Sequence, residues 1–247
     1  MMDFDLSQLT CELTDRLAGV QAAIDDAAQR SGRTARDVRL VAVTKTRPAS
    51  VLQAAVLAGM TEIGENYVQE AEEKFRELGW PEATAGAAPA VRHAIGHLQA
   101  NKVRAALRWF DVIQTVDSLP LAERIDRLAA ELHRSPVRVL LQINTSREPQ
   151  KSGFFSQDVE GTMLRLANLT HIQVTGLMTI GRFDPEPEAA RQEFIALREL
   201  RGHLQRVAPP GLQFTELSMG MSHDFPVAIE EGATIVRIGS RLFGART

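Results

Sequence analysis

The apolar positions of the chain alternate between a helical and an extended spacing. A first helix is predicted from the three- or four-residue spacing that joins Leu6, Leu9, Leu13, Leu17, Val20 and Ile24. Ser31-Gly32 then breaks this pattern. The next run, Val38 to Val43, is short and rich in β-branched residues, which is typical of a strand buried on both faces of a parallel sheet. The chain therefore begins with a helix and a strand that ends at Thr44-Lys45.

The same alternation continues to the end of the chain. Seven more strands are predicted at residues 61–64, 91–95, 112–116, 137–143, 172–180, 214–218 and 234–238, and helices at 48–57, 66–78, 99–109, 118–133, 156–167, 185–207 and 222–231. Eight strands separated by helices in about 250 residues are the rhythm of a TIM-type (β/α)8 barrel. We predict one α/β barrel domain over residues 1–247 with an extra N-terminal helix, and an open doubly wound sheet is the alternative.

Composition excludes several classes of protein. A formal net charge of −3 lacks the basic excess that nucleic acid binding needs, and no apolar stretch is long enough to span a bilayer. The N-terminus has no basic segment followed by an apolar run, so we expect no secretion signal. The single cysteine, Cys11, suits a reducing compartment. We therefore expect a cytoplasmic protein without membrane or nucleic acid partners.

Polar residues follow the predicted strands where a barrel carries its active face. Lys45 ends an apolar strand, and a desolvated lysine has a lowered pKa and attacks aldehydes as the neutral amine. Taken alone, Lys45 is more simply interpreted as a solvated lysine at a strand end.

Two loops add a second feature to this face. Ser218-Met219-Gly220-Met221-Ser222 precedes a predicted helix with Ser222 as its N-cap, and Gly239-Ser240 follows the last strand. Loops after strands seven and eight of a barrel frequently bind phosphate. Each loop by itself could be an ordinary turn.

Arg237, inside the last strand, needs an acceptor, which could be a ring nitrogen or Glu65. Together these residues fit pyridoxal 5′-phosphate (PLP) better than a sugar phosphate.

Other motifs give weaker evidence for a functional site. His93 and His97 lack the helical spacing of a metal pair, and His223-Asp224 beside Ser222 are too close in sequence to form a catalytic triad. Lys151-Ser152-Gly153 lacks the upstream glycine of a P-loop and is interpreted as a solvated turn.

Ordered motifs along nearly the whole chain resemble one family. They are the segments 42–46 (AVTKT), 64–70 (GENYVQE), 93–102 (HAIGHLQANK), 151–153 (KSG), 176–178 (GLM), 217–222 (LSMGMS) and 236–244 (VRIGSRLFG). This set resembles the pyridoxal phosphate homeostasis proteins, which are small relatives of the N-terminal barrel of alanine racemase. Arg92 and Ala94 depart from the aromatic residues that the family often has there, which predicts altered packing under the cofactor, and His223 occupies a variable position.

The resemblance implies a role for each candidate residue. Lys45 would form the Schiff base, or internal aldimine, and Asn66 would lie on the oxygen side of the ring. Arg237 would point toward the ring nitrogen, and the phosphate would lie among Ser218, Met219, Ser222, Gly239 and Ser240. No catalytic residue and no metal ligand is predicted.

The leading hypothesis is a PLP carrier in vitamin B6 homeostasis that buffers or delivers the cofactor without turnover. PLP-dependent apo-enzymes would be its recipients, and we expect a monomer or weak dimer. A minimal PLP-dependent amino-acid racemase is the alternative, but after Phe243-Gly244 the sequence offers no segment for the second domain of a racemase. A third hypothesis is a lyase or aldolase that acts on a sugar phosphate through Lys45. Lys151 and Lys102 are candidates for a secondary PLP site.

Overall fold

A closed barrel of eight parallel strands forms the centre of the molecule. It is seen in a computed structural model that describes residues 5–83, 88–134, 136–146, 148, 152–181, 184 and 186–245. The strands pair in sequence order, from β1 with β2 through β7 with β8. β8 then pairs with β1, where Val41 lies level with Arg237, so the sheet has no free edge. The predicted TIM-type barrel is confirmed, and the open sheet is excluded.

Helices surround the strands in the order expected for βα units. The strands are β1 (Arg39–Val43), β2 (Glu62–Glu65), β3 (Val91–Ala94), β4 (Val112–Val116), β5 (Val137–Gln142), β6 (Ile172–Met178), β7 (Glu216–Met221) and β8 (Ile235–Ile238). The helices are α1 (Leu6–Arg30), α2 (Ala49–Leu57), α3 (Val68–Glu77), α4 (Val103–Trp109), α5 (Leu119–Glu131), α6 (Ser156–Ala167), α7 (Arg191–Val207), α8 (Phe225–Glu230) and α9 (Ser240–Phe243).

The extra N-terminal helix is present as α1. Asp5 caps it by accepting hydrogen bonds from the backbone N–H groups of Ser7 and Gln8, and its buried stripe packs against α2, α8 and α9. Arg16 on this helix donates to the carbonyl of Leu242 at 3.0 Å. α1 therefore supports the C-terminal end of the chain, which lies beside the mouth of the barrel.

Several element boundaries differ from the sequence prediction. β7 runs to Met221, three residues beyond its predicted end, and α8 begins at Phe225 instead of Ser222. The chain turns between these elements, where Asp224 Oδ1 accepts from the N–H of Met221 at 2.6 Å. Pro226, in the first turn of α8, fits only the beginning of a helix. The prediction that Ser222 caps this helix is therefore wrong.

Two groups of apolar side chains fill the fold. The larger lies between the strands and the helices, and the smaller lies inside the barrel and consists of Val41, Val112, Leu140, Met178 and Ile235. Polar side chains occupy the rest of the barrel interior, which has consequences for the site described below. No helix in the described part of the chain is long and apolar enough to cross a membrane.

Candidate cofactor site

A cavity of about 340 Å³ opens at the carboxyl ends of the barrel strands. Six of the eight residues predicted from the sequence line it, namely Lys45, Asn66, Ser222, Arg237, Gly239 and Ser240. Its apolar wall includes Val43, Ile95 and Phe243. The volume lies within the roughly 300–1,000 Å³ range of small-molecule sites. The cavity thus combines an amine, a guanidinium, hydroxyl groups and an apolar surface.

Lys45 reaches the cavity because β1 ends two residues before it. Val41 and Ala42 are buried, Thr44 is also buried, and Lys45 is only half-buried. Its aliphatic stem therefore leaves a dry strand, while its amine lies among the groups that line the cavity.

Asn66 follows β2, and its backbone packs closely against Gly96. A Cβ atom at Gly96 would lie 2.3 Å from the carbonyl oxygen of Asn66, so only glycine fits without displacing the loop. Asn66 is therefore held between the ends of β2 and β3, on the side of the cavity that Lys45 also lines.

The loops after β7 and β8 are joined by a hydrogen bond. Ser222 Oγ accepts from the N–H of Gly239 at 3.0 Å. Among the described residues, no side chain caps α9, whose first residue, Ser240, lines the cavity. Gly220, near the end of β7, has a φ of +90°, and a Cβ there would lie 2.5 Å from that of Ala228, so this position requires glycine. The two loops form a compact polar end of the cavity.

The structure does not bring the side chains of Ser218 and Met219 to this cavity. Both residues are fully buried, and Met219 belongs to the core between strands and helices. Ser218 Oγ donates to Gln114 Oε1 at 2.6 Å inside the barrel. Their predicted place beside the phosphate therefore stays a prediction, without support from the residues that line this cavity.

Arg237 lies at the floor of the cavity and is 4% exposed. One Nη atom donates to Ser218 Oγ at 2.6 Å, and the other donates to the carbonyl of Thr179 at 2.8 Å. Burial lowers the pKa of Arg237 to about 10, although the charge of Asp224 opposes this shift. The arginine therefore stays protonated at neutral pH.

The alternative that Arg237 pairs with Glu65 is wrong. Glu65 Oε1 accepts instead from Thr44 Oγ1 at 2.7 Å and from Lys74 Nζ at 2.8 Å. Burial raises the pKa of the Glu65 carboxyl, and the charge of Lys74 acts against that rise. Lys74 reaches this position from α3, outside the barrel.

A column of polar contacts continues from Arg237 through the barrel. Gln114 accepts a hydrogen bond from the Ser218 hydroxyl at Oε1. Its amide N–H donates to His93 Nδ1 at 2.9 Å. His93 Nε2 lies 3.0 Å from Glu62 Oε2. Because an amide nitrogen only donates, His93 Nδ1 is the acceptor in its contact with Gln114. This column connects the cavity to the opposite end of the barrel.

Glu62 is ionised at the far end of this column. Burial acts to raise its pKa, but contact with His93 and the charges of Arg39 and Arg138 outweigh burial, so the pKa lies below its ordinary value. The sequence analysis missed Glu62 and Gln114 as members of the site. The available signal for Gln114 was a polar residue in the middle of a short strand that is mostly apolar, whereas Glu62 stands at the start of β2 and gave no such signal.

Other sequence candidates lie away from the cavity. His97 pairs with Asp117 at 3.1 Å, and the described residues contain no cluster of three metal-ligating side chains. Lys102 lines a separate surface depression, and Lys151 lies outside the described residues.

Arg92 stands where the resembling family often has an aromatic residue. Contrary to expectation, this difference does not affect packing under the cavity. Arg92 is fully buried on the outer side of β3, where it pairs with Asp111 at 3.1 Å and stacks over Phe75. Ala94 packs in the same outer core.

Sequence comparisons show which known proteins the chain resembles. The family model described as alanine racemase, N-terminal domain, matches residues 20–247. The pyridoxal phosphate homeostasis protein of Escherichia coli is 39% identical over 236 residues, covering 95% of this chain and 97% of its own. The protein of the same name from Pseudomonas aeruginosa is 40% identical over 235 residues, covering 95% and 96%.

Solved structures are similar over the whole fold. PipY of Synechococcus elongatus, in a structure with PLP bound, is 38% identical with a TM-score of 0.80, covering 94% of this chain and 100% of that chain. Alanine racemase from Corynebacterium glutamicum is 21% identical with a TM-score of 0.63, covering 93% of this chain and 62% of that chain, and supports the fold alone.

Proposed function

The chain belongs to the family of the alanine racemase N-terminal domain, and from this premise we propose that it binds PLP and acts in PLP homeostasis. The observation that carries the proposal is the cavity that unites Lys45, Arg237 and the two polar loops. Relatives named pyridoxal phosphate homeostasis protein, and the PLP-bound structure of PipY, support the same ligand.

Lys45 is the residue that would hold the cofactor covalently. Its neutral amine would attack the aldehyde carbon of PLP, form the C=N bond and release the aldehyde oxygen as water. PLP supplies the aldehyde for this bond, and the protein supplies the placed amine.

The polar loops would hold the phosphate. Ser240 offers its backbone N–H and its hydroxyl at the start of α9, and Ser222 offers a hydroxyl from the neighbouring loop while its oxygen accepts from the N–H of Gly239. Such groups favour a dianion. Asn66 would contact the oxygen side of the ring from across the cavity.

Arg237 would donate to the ring nitrogen. The two described hydrogen bonds of its guanidinium use two of its five N–H donors, so donors remain for a ligand on the cavity side. A permanently protonated donor leaves the ring nitrogen without a proton, which makes the ring a weak electron sink. We therefore propose that the protein holds, buffers or delivers PLP, with apo-enzymes as recipients, instead of turning substrate over.

Absorbance and chemical trapping test the covalent bond. The protein with PLP is expected to absorb at about 420 nm, as Schiff bases of PLP do. Borohydride should fix the cofactor to a peptide that contains Lys45. Lys45→Ala should lose both signals. Lys102→Ala, at the candidate secondary site outside the cavity, should keep the absorbance and the label on the Lys45 peptide. Trapping on another lysine, with an unchanged spectrum in Lys45→Ala, would overturn the assignment.

Incubation with single enantiomers tests the proposed lack of turnover. L-alanine and D-alanine should each remain unracemised over hours with the PLP-loaded protein. Steady racemisation at rates of about 1 s⁻¹ or more, which are ordinary for enzymes, would replace the carrier proposal with the racemase.

A further inference from the structure

The two residues that flank Lys45 are both held by an ionic cluster outside the barrel. On one side, Thr44 Oγ1 donates to Glu65 Oε1 at 2.7 Å, and the carbonyl of Thr44 accepts from Lys74 Nζ at 2.8 Å. On the other side, the N–H of Thr46 donates to Glu70 Oε1 at 2.5 Å. Lys74 itself joins Glu65 and Glu70, at 2.8 and 2.6 Å.

A buried ionic cluster of this kind is not explained by the stability of the fold alone. Lys74 is 6% exposed and Glu65 is 1% exposed, so both charges have left water. Buried ion pairs recover little more than their own desolvation cost, and apolar replacements are often equally stable. None of the three charged residues lines the cavity. Their common feature is contact with the turn that carries Lys45.

Thr46 adopts a conformation that its side chain disfavours. Its φ is +64°, in the left-handed region, although it is β-branched and not glycine. Such a residue persists only where its surroundings hold it, and such strain clusters at functional sites. Here the described contact that holds Thr46 from outside the turn is the Glu70 carboxylate.

We propose that Glu65, Glu70 and Lys74 are positioning residues that fix the Thr44–Thr46 turn so that Lys45 enters the cavity. The inference rests on the proposed function, because it concerns how Lys45 meets PLP. Glu70 holds Thr46 in its left-handed conformation, while Glu65 and Lys74 hold Thr44. Because both neighbours are fixed, the backbone at Lys45 has one conformation, and the side chain leaves it in one direction.

A mutant cycle between Glu70 and Thr46 tests this role. Glu70→Ala should weaken PLP binding by about 10- to 100-fold, the range expected for loss of a hydrogen bond to a charged group, and lower the trapped fraction. Glycine adopts positive φ without strain, so in a Thr46→Gly background the same Glu70→Ala change should weaken binding only about 3-fold. A merely structural role for Glu70 would give the same loss in both backgrounds.

The same helix offers a matched control. Glu72 and Arg76 form an ion pair at 2.6 Å with the same four-residue spacing as Glu70 and Lys74, but the cation of this pair, Arg76, is 62% exposed, whereas Lys74 is buried. Glu72→Ala should leave PLP affinity, absorbance and trapping within about 2-fold of wild type, as expected for an exposed pair. If Glu70→Ala does not fold, as judged by circular dichroism, Glu70→Leu decides the same question, because leucine fills more of the space but has no acceptor for the Thr46 N–H.

The outcomes separate this inference from the proposed function. A wild-type protein that binds no PLP overturns both. If wild type binds PLP through Lys45, but the Glu70 and Glu72 variants lose the same affinity, or Thr46→Gly does not reduce the Glu70 penalty, the positioning role alone is overturned. The expected result is a loss confined to the Glu70 variants and relieved by Thr46→Gly.

Discussion

Gln114→Leu tests the polar column that supports Arg237. Gln114 is fully buried, and both ends of its amide are used, one by the Ser218 hydroxyl and the other by His93 Nδ1. Leucine has a similar volume, so the substitution leaves a small cavity at most. Its main effect is to leave one donor and one acceptor buried without partners.

The expected loss follows from those two orphaned groups. Each buried polar atom without a partner costs about 1–3 kcal/mol, which gives about 2–6 kcal/mol for Ser218 and His93 together. The apolar leucine offsets about 1 kcal/mol of this. We expect the free energy of unfolding to fall by about 3 kcal/mol, which a domain with about 5–15 kcal/mol survives. PLP affinity should also fall, because Ser218 is then less firmly held under Arg237.

Urea unfolding followed by circular dichroism measures the first effect, and PLP titration measures the second. Gln142→Leu is the control, because Gln142 is also buried but makes one described hydrogen bond, to the carbonyl of Ser152 at 2.9 Å. Its expected cost is about 1 kcal/mol, without a change in PLP affinity. Equal losses of stability in the two variants would refute the argument from orphaned groups.

Three further substitutions have definite expected outcomes. Glu62→Gln should destabilise the protein at pH 7. The folded pKa of Glu62 lies below 4.5, so its stabilisation is present above that pH and disappears as pH falls through the folded pKa; urea unfolding at several pH values should show the two proteins converging in acid. Gly96→Ala should lower stability by about 1–3 kcal/mol through the clash with Asn66, whereas Gly19→Ala, with open space in α1, should raise it by about 0.5–1 kcal/mol, as thermal unfolding can measure. Arg92→Met should cost about 3 kcal/mol in urea unfolding by breaking a buried pair, yet leave PLP affinity unchanged because Arg92 lies on the outer side of the barrel.

The sequence predicted the parts of the site that follow from one rule, that a (β/α)8 barrel carries its site at the carboxyl ends of its strands. Asn66 and Gly239 come directly after a strand and Lys45 lies two residues after one, and the carboxyl ends of parallel strands meet on one face. Their convergence therefore needed only the strand count and the order of the chain. Arg237 was identified because a charge inside a strand requires an acceptor.

Side-chain direction could not be predicted in the same way. Ser218 was expected at the phosphate because β7 was taken to end there, but the strand continues to Met221. Its pairing with β8 shifts register between Ser218 and Met221, which changes how far each residue lies from the mouth. Register depends on the neighbouring strand, so the pattern of one strand does not reveal it.

The ionic cluster behind Lys45 was hidden for a related reason. Glu70 and Lys74 have the spacing of an ordinary exposed helical pair, which the sequence also shows at Glu72 and Arg76. Which pair is buried depends on how α3 packs against the end of β2. The alternation of apolar residues fixes the face of a helix, but not the loop that the face meets.

The polar column is better explained by Arg237 than by stability. A barrel interior filled with aliphatic residues would avoid every desolvation cost that His93, Gln114 and Ser218 incur. Yet a guanidinium at the floor of the cavity needs an acceptor on its barrel side, and Ser218 Oγ accepts from Arg237 while its hydroxyl donates a hydrogen bond to Gln114 Oε1. Gln114 in turn requires an acceptor, which His93 provides because its other nitrogen faces the ionised Glu62. Each step follows from the one above it, so an arginine retained for a ligand accounts for polar residues across the whole barrel.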